Sequence, residues 1–172
     1  MTMQISEIID WILRITGIFS IIQFVIKRLL KNVWSDDIKI VRLTLNKARN
    51  EEFNFKKIYF FGNDSNEITI IQGTRYPIRQ LKVYNCIYKK NKLKKGKMLY
   101  ARNKILPDEA IFLKLYYGCA MPNYIIEIKN HNFEVANIVL AENGFNGNVD
   151  YKKGIEYKKT FISIIYKILI GN

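Results

Sequence analysis

The sequence predicts an all-β sandwich or small barrel, preceded by an N-terminal transmembrane-like helix and closed by a short C-terminal amphipathic helix. Three observations predict this. From Ile5 to Trp34 the chain is proline-free and apolar, apart from a narrow line of polar or small residues. After Ser35-Asp36-Asp37 the hydrophobic period shortens to two, the period of a strand with one buried face. From there turn residues recur roughly every 8–12 positions, with no helix-period segments between them to support a parallel α/β sheet.

The residues that interrupt the first helix are Glu7, Asp10, Arg14, Gly17, Ser20, Gln23, Lys27 and Lys31. They follow one another in steps of three or four, so they form one seam with a period close to that of a supercoiled helix. The broad apolar face suits lipid or a protein core; the seam suits sister helices or water. Ile8 to Leu30 reaches the roughly 20 residues needed to span a bilayer. About a dozen Ile, Leu, Phe and Val favour insertion by about 0.3–0.6 kcal/mol each, against about 2.5–3.5 kcal/mol for one central Arg. Homo-oligomerisation would relieve Asp10 and Arg14 by turning them inward. A helix lying in the membrane interface and a core helix of a soluble domain are the alternatives. A cleaved signal peptide is not expected, since Met1 to Ile9 carries Glu7 and no Lys or Arg, and no small-x-small site follows. Lys27, Arg28 and Lys31 follow the apolar run, which places the rest of the chain on the cytoplasmic side of the inner membrane. The expected division is residues 1–34 as membrane and oligomerisation helix and 35–172 as the cytoplasmic β domain.

Strands are expected at Ile38–Leu45, Phe53–Phe61, Glu67–Gln72, Leu81–Tyr88, Lys97–Arg102, Ala110–Tyr117, Asn123–Lys129, Phe133–Leu140 and Ile155–Lys158. Gly62 to Asn66, Asn130-His131-Asn132 and the 142–148 stretch read as turns. Lys89 to Lys97 reads as a hairpin tip turning at Gly96. In the last segment, Phe161, Ile164, Ile165, Ile168 and Leu169 share one helical face, expected to cap the barrel or pack on another helix, with the membrane interface as the alternative.

The net charge of +13 favours anionic partners: nucleotides, oligonucleotides or acidic lipid. A chain this rich in Lys, Asn, Ile and Tyr also carries lysine as a default surface residue. Cys86 and Cys119 sit in apolar runs, without metal-ligand spacing, and read as buried free thiols.

Two groups are candidates for the anionic ligand. Lys89, Lys90, Lys92, Lys94 and Lys95, with Lys97 beyond them, lie together with no acid between them. Such a pad attracts phosphates without specifying a sequence, or merely keeps a loop solvated. Arg75, Tyr76, Arg79, Lys82 and Tyr84 combine guanidinium forks with stacking rings, or are ordinary half-buried strand residues. Glu7, Asp10, Arg14, Gly17, Ser20 and Gln23 are the candidate oligomer or pore seam.

Catalysis finds little support. Pro107-Asp108 with Glu127-x-Lys129 resembles the PD-(D/E)xK nucleases, in which two carboxylates hold Mg²⁺ and the Lys steadies the attacking water. Glu156-x-Lys158 repeats the second half in this lysine-rich chain, and the α/β layering of that family is missing from the pattern. His131 is the sole histidine and stands in a turn; no triad, phosphate-cradling loop or zinc signature is present. The reading is therefore non-enzymatic, without metal or cofactor.

An apolar helix before a compact basic β domain resembles, in layout alone, the small membrane effectors of bacterial anti-phage signalling. The resemblance implies a domain that binds a cyclic nucleotide or oligonucleotide and a helix assembly that perturbs the membrane in response. The single N-terminal helix departs from several such effectors, which carry more. The alternatives are an anchored structural or adaptor domain docking another protein and, last, a metal-dependent nuclease.

Overall fold

The structure is a computed structural model that describes residues 5–29, 31–62, 65, 67–89, 92–115, 124–141, 144–147, 149–150 and 153–170. The chain divides into two compact units, Met1–Lys31 and Asn32–Asn172.

The first unit is helix α1, Ile5–Leu29. Its hydroxyls turn back onto its own backbone: Thr16 Oγ1 donates to the Ile12 carbonyl at 2.9 Å and Ser20 Oγ to the Thr16 carbonyl at 2.9 Å. Trp11, Ile12, Leu13, Ile15, Ile18, Phe19, Ile21, Ile22, Phe24 and Val25 are all exposed. Among the described residues no helix is long and apolar enough to cross a membrane, so the expected spanning helix is not found. Arg14, Thr16, Gly17, Ser20 and Gln23 dilute the run. The helix was also expected to reach Trp34; instead Val33–Ser35 is a strand, and the unit boundary falls after Lys31.

The second unit is mostly β-sheet with few helices, layered as a sandwich. In chain order it contains β1 (Val33–Ser35), β2 (Ile38–Thr44), α2 (Leu45–Asn50), β3 (Lys57–Gly62), β4 (Glu67–Gly73), β5 (Ile78–Lys89), β6 (Lys92–Ile105), β7 (Glu109–Lys114), β8 (Tyr124–Lys129), β9 (Val135–Ala141), β10 (Gly144–Gly147), β11 (Val149–Asp150), β12 (Gly154–Tyr157) and α3 (Phe161–Ile170). The sheets run β10-β9-β8-β5-β6, β2-β4-β7-β3 and β1-β12-β11. Among the described residues every pairing is antiparallel except β3 with β7. All three sheets contribute to one core, through Ile71 and Leu113, Leu81, Val83, Ile126 and Ile138, and Ile155 and Tyr157. The alternation in β9 follows from burial of only one face there.

The four-stranded sheet is different. Its other face carries Ile68, Ile70, Ala110 and Phe112, covered by Ala48 of α2 and by Phe53 and Phe55. Burial on both faces makes β4 and β7 read as continuous apolar runs. Phe53 and Phe55 thus lie outside the strand expected at Phe53–Phe61, set edge-on to the Phe112 ring at 5.2 and 6.2 Å. Helix α2 was not expected; Thr44 caps it by accepting from the Lys47 amide at 3.4 Å.

Three further expectations are corrected. Gly96 is not a turn: it lies within β6, where the β5–β6 register shifts. A Cβ there would meet Asn85 Oδ1 at 2.5 Å and Ile87 Cγ2 at 2.9 Å, so the close strand approach requires glycine. The turn cluster at 142–148 contains a strand, β10, paired back on β9 with Gly144 opposite Ala141. Helix α3 exists as expected but does not bury its apolar face; Phe161, Ile162, Ile165, Ile168, Leu169 and Ile170 are exposed. Cys86 is half-buried, and burial pushes its thiol up to about 11, away from reactivity. Cys119 lies outside the described residues.

Candidate functional site

The lysine-rich hairpin separates into paired and free charges. Glu127 projects from β8 onto the same face as Lys82 of β5 and Lys95 of β6. Lys82 Nζ lies 3.5 Å from Glu127 Oε1, and Lys95 forms an ion pair with Oε2 while sitting 5.2 Å over the Tyr84 ring. Desolvation alone would raise the Glu127 pKa; the hydrogen bond and charge of Lys95, aided by Lys82, leave it lowered. Lys82 and Lys95 therefore share one carboxylate within the sheet. Lys89, Lys92, Lys94 and Lys97 remain exposed, and Lys90 lies outside the described residues.

The second predicted group sits at the far end of β5. Arg75 and Tyr76 are exposed, and the Tyr76 ring stacks on His131 at 4.0 Å. Arg79 Nε donates to the His131 carbonyl at 2.8 Å, and its guanidinium lies 3.9 Å from the Phe133 ring and 5.4 Å from Tyr166. Phe133 holds a left-handed backbone, φ 61°, rare for a bulky residue. Arg79 thus clamps a strained turn and α3. At about 3.3 Å per residue, Arg79 and Lys89 stand roughly 30 Å apart along β5, too far to grip one small ligand.

A groove the sequence did not reveal brings other charges together. Leu45, Ala48, Arg49, Phe60, Ser65, Ile68, Phe112 and Lys114 line a cavity of about 530 Å³. A neighbouring cavity of about 450 Å³, lined by Phe61, Leu99, Leu115 and Tyr124 among others, shares Phe60 and Lys114 with it. Phe60 stands on β3, a sheet edge; it is 62% exposed, and its ring lies edge-on to Phe112 at 5.5 Å. Among the described residues neither Arg49 nor Lys114 has an ion-pair partner, whereas Arg42 pairs with Glu67 and Lys167 with Glu134. Two uncompensated cations beside an accessible aromatic face suit a planar anion. The sequence signal was slight: three consecutive aromatics, Tyr59-Phe60-Phe61, leave one pointing away from the core.

On α1, Arg14, Gly17, Ser20 and Gln23 are exposed, and among the described residues nothing beyond the helix's own backbone lies within 4 Å of where a Cβ on Gly17 would stand. Of the seam's Glu7 and Asp10 only the backbone is described, as part of α1. Of the nuclease-like residues, Asp108 lies 3.9 Å from Lys56 and Glu127 is held by Lys82 and Lys95. No three acidic, His or Cys side chains among the described residues are grouped to hold a metal. No protein-family model matches the chain, and no curated protein or solved structure matches it.

Proposed function

We propose that this protein is a non-enzymatic effector that self-assembles on the cytoplasmic face of the inner membrane through α1 and takes an anionic ligand on its β unit. The observation that carries this reading is α1 itself, a separate compact unit with eleven large apolar side chains exposed among the described residues. Burying each such side chain is worth about 1.5–3 kcal/mol, which drives the helix out of water. The helix lies along the interface, with Arg14, Gly17, Ser20 and Gln23 turned toward sister helices and the Ile, Phe and Trp side chains toward lipid.

The groove of Arg49, Phe60 and Lys114 receives the ligand, a planar anion such as a nucleotide. The exposed lysines of the β5–β6 hairpin face the anionic headgroups, each worth about 1 kcal/mol near the surface. Ligand binding then biases the α1 assembly, the behaviour expected from the layout shared with anti-phage membrane effectors.

The test is chemical crosslinking on anionic vesicles. Arg14→Leu is expected to change the ladder of crosslinked species, while Ile15→Leu leaves it as in the parent. A monomer in all three proteins would refute self-assembly through α1.

A further inference from the structure

Helix α3 docks on the β unit with its polar side. Its start is fixed by a reciprocal cap: Thr160 N donates to Ser163 Oγ at 2.9 Å and Ser163 N to Thr160 Oγ1 at 3.1 Å. Thr160 Oγ1 also donates to the Phe133 carbonyl at 2.9 Å. Lys167 Nζ reaches Glu134 Oε1 at 2.9 Å, and that carboxylate is 2% exposed. The Tyr166 ring lies edge-on to Phe133 at 5.0 Å and its hydroxyl accepts from Arg79 at 3.4 Å. These contacts fix the roll of the helix. At 100° per residue, Phe161, Ile162, Ile165, Ile168 and Leu169 then occupy an arc of roughly 120° on the opposite side. Phe161, Ile168 and Leu169 are 75%, 75% and 78% exposed.

An ordinary surface helix turns its apolar stripe inward. Here an ion pair to a buried carboxylate and an arginine clamp hold it outward, so the stripe belongs to something outside the unit. We propose that α3 lies flat in the membrane interface with this stripe among the lipid acyl chains, a second membrane contact distinct from α1; this rests on the reading that the protein works at a membrane. The charge beside the helix favours lipid over a second copy or another protein. From Lys158 to Asn172 the chain carries no acidic residue; Lys167 is taken up by Glu134, but Lys158 is exposed just before the helix, where it meets anionic headgroups. The helix has ten residues, about 15 Å, half a bilayer's hydrocarbon thickness, so it lies on the membrane and does not cross it.

The experiment uses full-length protein. Trp11 and Trp34 are the two native tryptophans. With both changed to Phe, Leu169→Trp supplies a reporter in α3; a companion protein with only Trp34→Phe keeps Trp11 in α1. Each is mixed with vesicles of phosphatidylcholine and phosphatidylserine, with and without brominated acyl chains. The expected result is a blue shift and bromolipid quenching of the Leu169→Trp reporter. Ile168→Ser with Leu169→Ser should weaken vesicle binding about tenfold or more. Quenching of Trp11 without quenching of the α3 reporter overturns the proposal and leaves the α1 reading standing. Quenching at neither position overturns both. An unquenched α3 reporter that shifts with protein concentration assigns the face to a second copy instead, which also overturns it.

Discussion

Lys167→Met tests the fastening of α3 most sharply. Glu134 is buried in the turn before β9, and its two oxygens are divided between Lys167 at 2.9 Å and Asn130 Nδ2 at 3.0 Å. Removing Lys167 leaves a buried carboxylate with one neutral partner. Breaking a fully buried pair costs about 3–5 kcal/mol. The Lys167 side chain is 32% exposed, so water reaches the site and the cost is discounted to about 2–3 kcal/mol. Urea denaturation measures this as a lower midpoint at unchanged slope. The double variant Glu134→Gln with Lys167→Met should recover most of the loss, because no charge is then stranded. Amide exchange should show α3 opening before the sheets do. A loss below about 0.5 kcal/mol for Lys167→Met would refute the argument, since that is the range of an ordinary surface change.

Other consequences follow from the same contacts. The lowered pKa of Glu127 contributes stability that is present above its unfolded value, about 4.3, and lost as pH falls through the lower folded value; Lys95→Met should flatten the acid limb of the stability curve. Gly96→Ala should destabilise by about 1–3 kcal/mol, because Asn85 and Ile87 stand where its Cβ must go; unchanged thermal unfolding would show that the strands can part there. Arg49→Glu with Lys114→Glu should weaken binding of a nucleoside phosphate about tenfold or more, read by calorimetry, while Lys92→Glu with Lys94→Glu should leave it within about twofold.

The strands were legible where a single face is buried. β9 alternates, and its boundaries lie within two residues of those expected. Legibility failed where a second layer or a distant partner decides the outcome. Phe53 and Phe55 look like strand residues because the sheet face they cover cannot be seen from their own neighbours. Lys82 and Lys95 look like ligand contacts because Glu127, which pairs with both, lies on another strand. The apolar stripe of α3 was visible, but its direction was not; that depends on Arg79, Phe133 and Glu134, none of which is in the helix. Arg49, Phe60 and Lys114 are far apart in the chain and meet only through the parallel pairing of β3 with β7 and the unforeseen α2.

The most direct test of the membrane-surface account is flotation of the full-length chain with vesicles in a density gradient at high salt. The account predicts that the protein floats, because apolar contacts of α1 survive charge screening. Ile18→Ser, Phe19→Ser and Ile22→Ser together should reduce the bound fraction by a factor of about a thousand in affinity, three side chains at about 1.5 kcal/mol each. Protein left at the bottom of the gradient with vesicles present, or a triple variant that floats as well as the parent, would contradict the account.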